Sequence, residues 1–273
     1  MGVKIAGLSP HPPLIVPGVG GDRLNEVQKT INSLRELSKE IVSSNVDLII
    51  TISPHGPVFR DAVAVIDLPI LKGDFSEFGA PQASYEIESN LKFIEELEKE
   101  ANSHQIKLVK LGRENLNNYG LKDELDHGVL VPLHYLKEAK LDVPLIAISM
   151  GLLDYNTLYK FGSLIDEVLK KMNINGAVLA SGDLSHRLKP GAPAGYNPKA
   201  ENFDKKLISI LEEEKYEKLL NIDKNLIDKA GECGLRPLII ALGALENYKV
   251  SSDLKSYEGP FGVGYAVCSF NID

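Results

Sequence analysis

At 273 residues, with 44% hydrophobic and 25% charged side chains, the chain can bury a large core and has an ordinary globular composition. A net charge of −8 argues against a nucleic-acid or anionic-membrane surface, since both need clustered Lys and Arg. Cys233 and Cys268 are too few for a disulfide framework and too far apart for a zinc ribbon, and no apolar run reaches membrane-spanning length.

In chain order, Val3 to Leu8 predicts a strand that runs into Ser9-Pro10-His11-Pro12-Pro13. A Pro/Gly-rich loop follows to Gly21, and Asp22 is placed to cap a helix reaching about Ser44, with Ile31, Leu34, Leu37 and Ile41 at helical spacing. Asp47 to Ser53 is an apolar, β-branched run that reads as a strand buried on both faces, stopped by Pro54-His55-Gly56. His11 and His55 therefore stand at the carboxyl ends of strands, where open α/β sheets bind ligands. One such histidine is more often structural; repetition of the whole device points to a shared metal.

Ala62 to Ile66 predicts another strand, Gly73 to Ala83 a loop, and Tyr85 to Ser103 an acidic amphipathic helix with His104 at its solvated end. After a strand at 106–111, Asp126-His127-Gly128 opens a buried helix. There His127 either caps the helix or occupies an anion-friendly N-terminus, while His134 reads as a packed core residue. A strand at 143–150, a helix at 155–172 and a strand at 176–180 come next. The last ends in Ser181-Gly182-Asp183-Leu184-Ser185-His186, a third histidine delivered by a strand end. Residues 189–198 suit a lid or wall over a pocket, and 201–228 read as a charged outer helical layer broken around Asn221. Gly231-Glu232-Cys233-Gly234 then opens an almost uncharged helix, so Glu232 needs a metal, a hydrogen bond or an ion pair, for which Arg236 is the bland candidate. Strands at 249–256 and 262–270, joined by a Glu-Gly-Pro-Phe-Gly turn, close the chain.

This alternation predicts a three-layer α/β/α sandwich around a mixed central sheet, with residues 1–273 as one domain. If the strand ends converge, His11, His55, His127, His186 and Glu232 surround one cleft. Two imidazoles and a carboxylate match the facial triad of non-haem Fe(II) enzymes and equally a catalytic zinc site. The metal stays open at this point, Fe(II) or Zn or another divalent ion.

The motifs Ser9-Pro10-His11-Pro12-Pro13, Ser53-Pro54-His55-Gly56, Asp126-His127-Gly128, Ser181 to His186 and Gly231-Glu232-Cys233-Gly234 occur in the order seen in LigB-type class III extradiol ring-cleaving dioxygenases, which the chain resembles over nearly its whole length. More narrowly it resembles the dioxygenase-like module of the AmmeMemoRadiSam protein A group, departing from ring-cleavers at Asp183 and in the loop before Asp126. The resemblance implies Fe(II) held by His11, His55 and Glu232, with His186 as acid/base and His127 in contact with substrate. Small aromatic substrate and O2 are the implied partners. Neither nucleic acid nor membrane is expected, a homo-oligomer is open, and the expected compartment is the cytoplasm. The competing reading is a Memo-like metal-binding or interaction module without ring cleavage, with a zinc hydrolase third.

Overall fold

A computed structural model describes residues 1–272. The chain runs through β1 (Gly2–Ser9), a one-turn α1 (Pro17–Gly20), α2 (Gln28–Ser43), β2 (Leu48–Ser53), β3 (Val63–Ile66), β4 (Ile70–Phe75) and β5 (Ala80–Glu88). It continues with α3 (Leu91–Ser103), β6 (Leu108–Leu111), α4 (Arg113–Tyr119), α5 (His127–Glu138), β7 (Leu145–Ser149), α6 (Tyr155–Lys171) and β8 (Asn175–Ser181). The last third holds α7 (Ala200–Glu212), α8 (Lys224–Ala230), α9 (Leu235–Gly243), β9 (Val250–Glu258) and β10 (Tyr265–Ile272).

Eight strands form one mixed sheet in the order β6-β3-β7-β2-β8-β1-β10-β9. Its centre, β7-β2-β8-β1, is parallel, and β10 turns back antiparallel on β1. Because successive strand residues point to opposite faces, β2 feeds Leu48, Ile50 and Ile52 into one core and Ile49 into the other. The first core is closed by α3, α6, α7 and α9 through Phe93, Phe161, Phe203 and Leu238; the second by α2 and α5 through Leu34, Leu37 and Leu133. The result is the expected three-layer sandwich. Helix starts are fixed by side chains that accept otherwise unpaired N–H groups: Asn90 for α3, Asp126 for α5, Asp154 for α6 and Asp223 for α8. At α2 the acceptor comes from far along the chain, Glu258 taking both the Thr30 N–H (2.9 Å) and hydroxyl (2.6 Å).

Three expectations need correction. Residues 73–75 and 80–88 are strand rather than loop or helix, in a two-stranded antiparallel sheet, β4-β5, joined by a 3-10 turn at Ser76–Phe78, and the α-helix begins only at Leu91. The helix expected from Asp22 is 3-10 from Gly21 to Val27 and becomes α-helical only at Gln28. α7 is not a purely solvated layer, since Phe203, Leu207, Ile210 and Leu211 are buried. Among the described residues, no helix is long and apolar enough to cross a membrane.

Candidate metal centre

The carboxyl ends of β1, β2 and β8 share one edge of the sheet because these strands are parallel neighbours. His11 follows β1, His55 follows β2, and Gly182-Asp183 follow β8, while α5 arrives at the same edge with His127. The His11 ring centroid lies 4.6 Å from His55 and 5.4 Å from His127, and His55 lies 4.1 Å from His127. His11 Nε2 and His55 Nε2 face each other at 2.8 Å. Cys233 Sγ is 3.6 Å from His11 Nε2, and the ligand atoms of His11, His55 and Cys233 all lie within 4.8 Å of one another.

Local packing enforces this convergence. The Ser53 hydroxyl donates to Asp126 Oδ1 at 2.6 Å and accepts the His55 backbone N–H at 3.1 Å, so one serine ties the β2 end to the cap of α5. A Cβ on Gly128 would stand 2.4 Å from Ser53 Oγ, and one on Gly182 would stand 2.2 Å from Gly234 Cα. Only glycine lets the helix and the Cys233 loop approach so closely. The Gly234 and Cys233 N–H groups both donate to the Asp183 carbonyl (2.9 and 3.2 Å), closing the loop pair.

The histidines are held neutral. Burial, then the neighbouring rings of His55, His127 and His186, keeps His11 well below the usual histidine range. His55, though part of the residue is exposed, is pushed down to about 4, chiefly by desolvation and then by His127. His127 and His186 are likewise lowered by burial. The Ser181 hydroxyl donates to the Gly128 carbonyl, so its oxygen can only accept from His11 Nδ1, 2.9 Å away. His11 therefore carries its proton on Nδ1 and turns the bare Nε2 lone pair towards His55. Histidine ligands of metals are commonly oriented in this way, through a hydrogen bond from the other ring nitrogen. Neutral imidazoles with converging Nε2 atoms and an adjacent thiol fit a divalent transition metal.

Glu232 lies outside that group of three. Its Oε2 accepts the Leu235 N–H at 2.6 Å at the start of α9, and burial pushes the carboxyl up to about 7 against the pull of that N–H and of Arg236. Arg236 is engaged elsewhere, donating to the Leu153 carbonyl at 2.5 Å and stacking 5.0 Å from the Tyr155 ring. Asp183 is buried, raised to about 7 by desolvation, and accepts the His11 N–H at 3.0 Å. His186 Nε2 is 3.9 Å from Asp183 Oδ2. Two histidines stand apart: His134 pairs with the Tyr85 hydroxyl at 2.6 Å, and exposed His104 rests on the Glu100 carbonyl at the end of α3. Sequence reasoning assigned no role to Cys233; its signal was a thiol next to Glu232 in a glycine-flanked turn.

A cavity of about 450 Å3 opens beside the histidines, with His55 and His127 on one wall, Phe78, Leu125 and Leu130 as apolar walls, and Glu77 at its rim. The Phe78 ring meets His127 edge-on at 5.5 Å.

Residues 5–268 match the family model described as catalytic LigB subunit of aromatic ring-opening dioxygenase. Protein CA_C1420 of Clostridium acetobutylicum is 36% identical over 260 residues, which cover 95% of this chain and 56% of that protein. The chain thus spans about half the length of this relative. A 3,4-dihydroxyphenylacetate 2,3-dioxygenase of Escherichia coli is 25% identical over 227 residues, 80% of each chain. The crystal structure of uncharacterized protein JW3007 from Escherichia coli K12 superposes with a TM-score of 0.66 at 15% identity, covering 98% of this chain and 99% of that one.

Proposed function

This chain belongs to the LigB family of aromatic ring-opening dioxygenase catalytic subunits, and from that premise we propose that it is an Fe(II)-dependent extradiol dioxygenase acting on a catechol-like or aminophenol-like ring. The observation that carries the reading is the facing pair His11 Nε2 and His55 Nε2, 2.8 Å apart at a strand edge that opens on a ring-sized cavity. His11, His55 and the Glu232 carboxylate would hold the metal, leaving adjacent positions for substrate and O2. Bound Fe(II) would supply the one-electron chemistry that O2 needs to react with a singlet ring.

The remaining roles fall to residues of the chain. His127, 5.5 Å from Phe78 and at the cavity wall, orients the ring edge-on and can hold a ring hydroxyl. His186, kept neutral by burial and 3.9 Å from Asp183 Oδ2, accepts a proton from substrate and returns it later, a task open to a neutral imidazole with a free ring nitrogen. Phe78, Leu125 and Leu130 limit water around the ring.

A second reading is favoured by one distance: Cys233 Sγ, 3.6 Å from His11 Nε2, completes a compact His-His-Cys set with the protein as it stands, whereas Glu232 caps α9. In that case the metal centre survives but ring cleavage need not. The test is anaerobic loading with Fe(II), then a panel of catechols and aminophenols, including 3,4-dihydroxyphenylacetate, with O2. Yellow ring-opened product with matching O2 uptake supports the dioxygenase; stable metal binding without turnover across the panel supports the second reading.

A further inference from the structure

Resting on the ring-cleavage reading, we infer that the preferred substrate carries a cationic substituent, an amine on a short side chain, rather than a carboxylate. The argument concerns the charged rim of the cavity, not the metal. His55, His127, Phe78 and Leu130 define the end that takes the ring. The outer rim is built by the β4-β5 turn and the loop before α5, and its charged side chains are Asp74, Glu77, Glu124 and a single base, Lys122.

That lysine is not free to receive an anion. Its Nζ is 2.9 Å from Glu77 Oε1 and 3.9 Å from Glu124 Oε2, so it stands bracketed by two carboxylates of the same rim. Hydrogen bonding to Lys122 and its charge hold Glu77 below the usual carboxylate range, and the Ser76 hydroxyl and N–H do the same for Asp74; both are ionised at neutral pH. Three carboxylates against one ammonium leave the rim net negative by two. A substrate carboxylate would have to displace Glu77 from Lys122 while facing Glu124 and Asp74. An ammonium enters the same field favourably and needs no displacement. Because the rim is open to solvent, water and salt weaken this preference to about tenfold at low ionic strength.

Isothermal calorimetry on Fe(II)-loaded protein under anaerobic conditions reads the binding directly, with catechol, 3,4-dihydroxyphenethylamine and 3,4-dihydroxyphenylacetate as matched probes. The amine should bind about tenfold more tightly than the carboxylate, and the ratio should shrink as salt is raised to about 0.5 M. In a Glu77→Gln, Glu124→Gln double variant, which also releases Lys122, the ratio should fall to parity or invert. If catechol binds but the carboxylate equals or exceeds the amine in the parent protein, the charge assignment is overturned while the dioxygenase reading stands. If no catechol binds to the loaded protein, the reading beneath it fails and the assignment fails with it.

Discussion

Pro132 stands four residues after Gly128 in α5 and, having no N–H, leaves the Gly128 carbonyl without its helical partner. The Ser181 hydroxyl takes that place, and this donation obliges Ser181 Oγ to accept from His11 Nδ1. A proline that looks like an interruption of an apolar helix thereby fixes the tautomer of a buried histidine on another strand.

Ser181→Ala should therefore release the tautomer. In metal-free protein, nitrogen-15 NMR of His11 should change from a pure Nδ1–H signature to a mixture. Divalent metal affinity should weaken by about 10- to 100-fold, the usual cost of losing such a supporting bond. An unchanged tautomer and affinity would show that Ser181 does not orient the ring.

Glu232 and Cys233 compete for the third position, and Co(II) separates them. A thiolate ligand gives an intense near-ultraviolet charge-transfer band; a carboxylate does not. With Glu232 as ligand, Co(II)-loaded parent lacks the band and Glu232→Gln loses metal affinity. A band that disappears in Cys233→Ser would assign the site to the thiol.

Gly182→Ala should destabilise the fold by roughly 1–3 kcal/mol in denaturant titration, since a Cβ there meets Gly234 Cα at 2.2 Å and backbone must move. The same movement separates Asp183 from the Cys233 loop, so metal affinity should drop as well. Stability like that of the parent would contradict the packing described.

Asp204 supplies a pH dependence away from the centre. It is fully buried, accepts from the Ser185 N–H (2.9 Å) and Tyr257 hydroxyl (2.7 Å), and is raised by burial to about 6. A carboxyl raised in the folded state favours folding when protonated. Its contribution is complete below its unfolded value near 4 and is lost as pH rises through about 6, amounting to about 3 kcal/mol. Asp204→Asn should remove this loss, so that stability changes less between pH 4 and 7 than in the parent. Identical pH profiles would refute the assignment.

The parts of this fold visible in the sequence are those governed by local chemistry. Apolar runs ended by Pro-His or by Gly-Asp announce buried strands that present polar groups at one edge, and both Ser-Pro-His ends meet as the repetition suggested. The β4-β5 hairpin was illegible because its strands pair only with each other. Lys72, Asp74, Gln82, Glu86 and Glu88 face solvent while the buried face offers only the scattered Leu71, Phe75, Ala80 and Ile87, so the segment merges with the acidic pattern of α3. Cys233 was illegible for another reason: its meaning lies in a 3.6 Å approach to His11, 222 residues away, which no spacing rule encodes. Glu232 was singled out as a buried carboxylate needing a partner, and the Leu235 N–H that it holds is one of the partners such a position allows.

The most direct test of the metal-centre account measures bound iron and O2 uptake together in parent, His55→Ala and His186→Ala proteins loaded anaerobically with Fe(II). The account predicts about one iron per chain in the parent, loss of both iron and turnover in His55→Ala, and in His186→Ala retained iron with turnover reduced by about 10²- to 10⁴-fold. Loss of iron in His186→Ala with iron retained in His55→Ala would contradict it, placing the metal on the other side of His11.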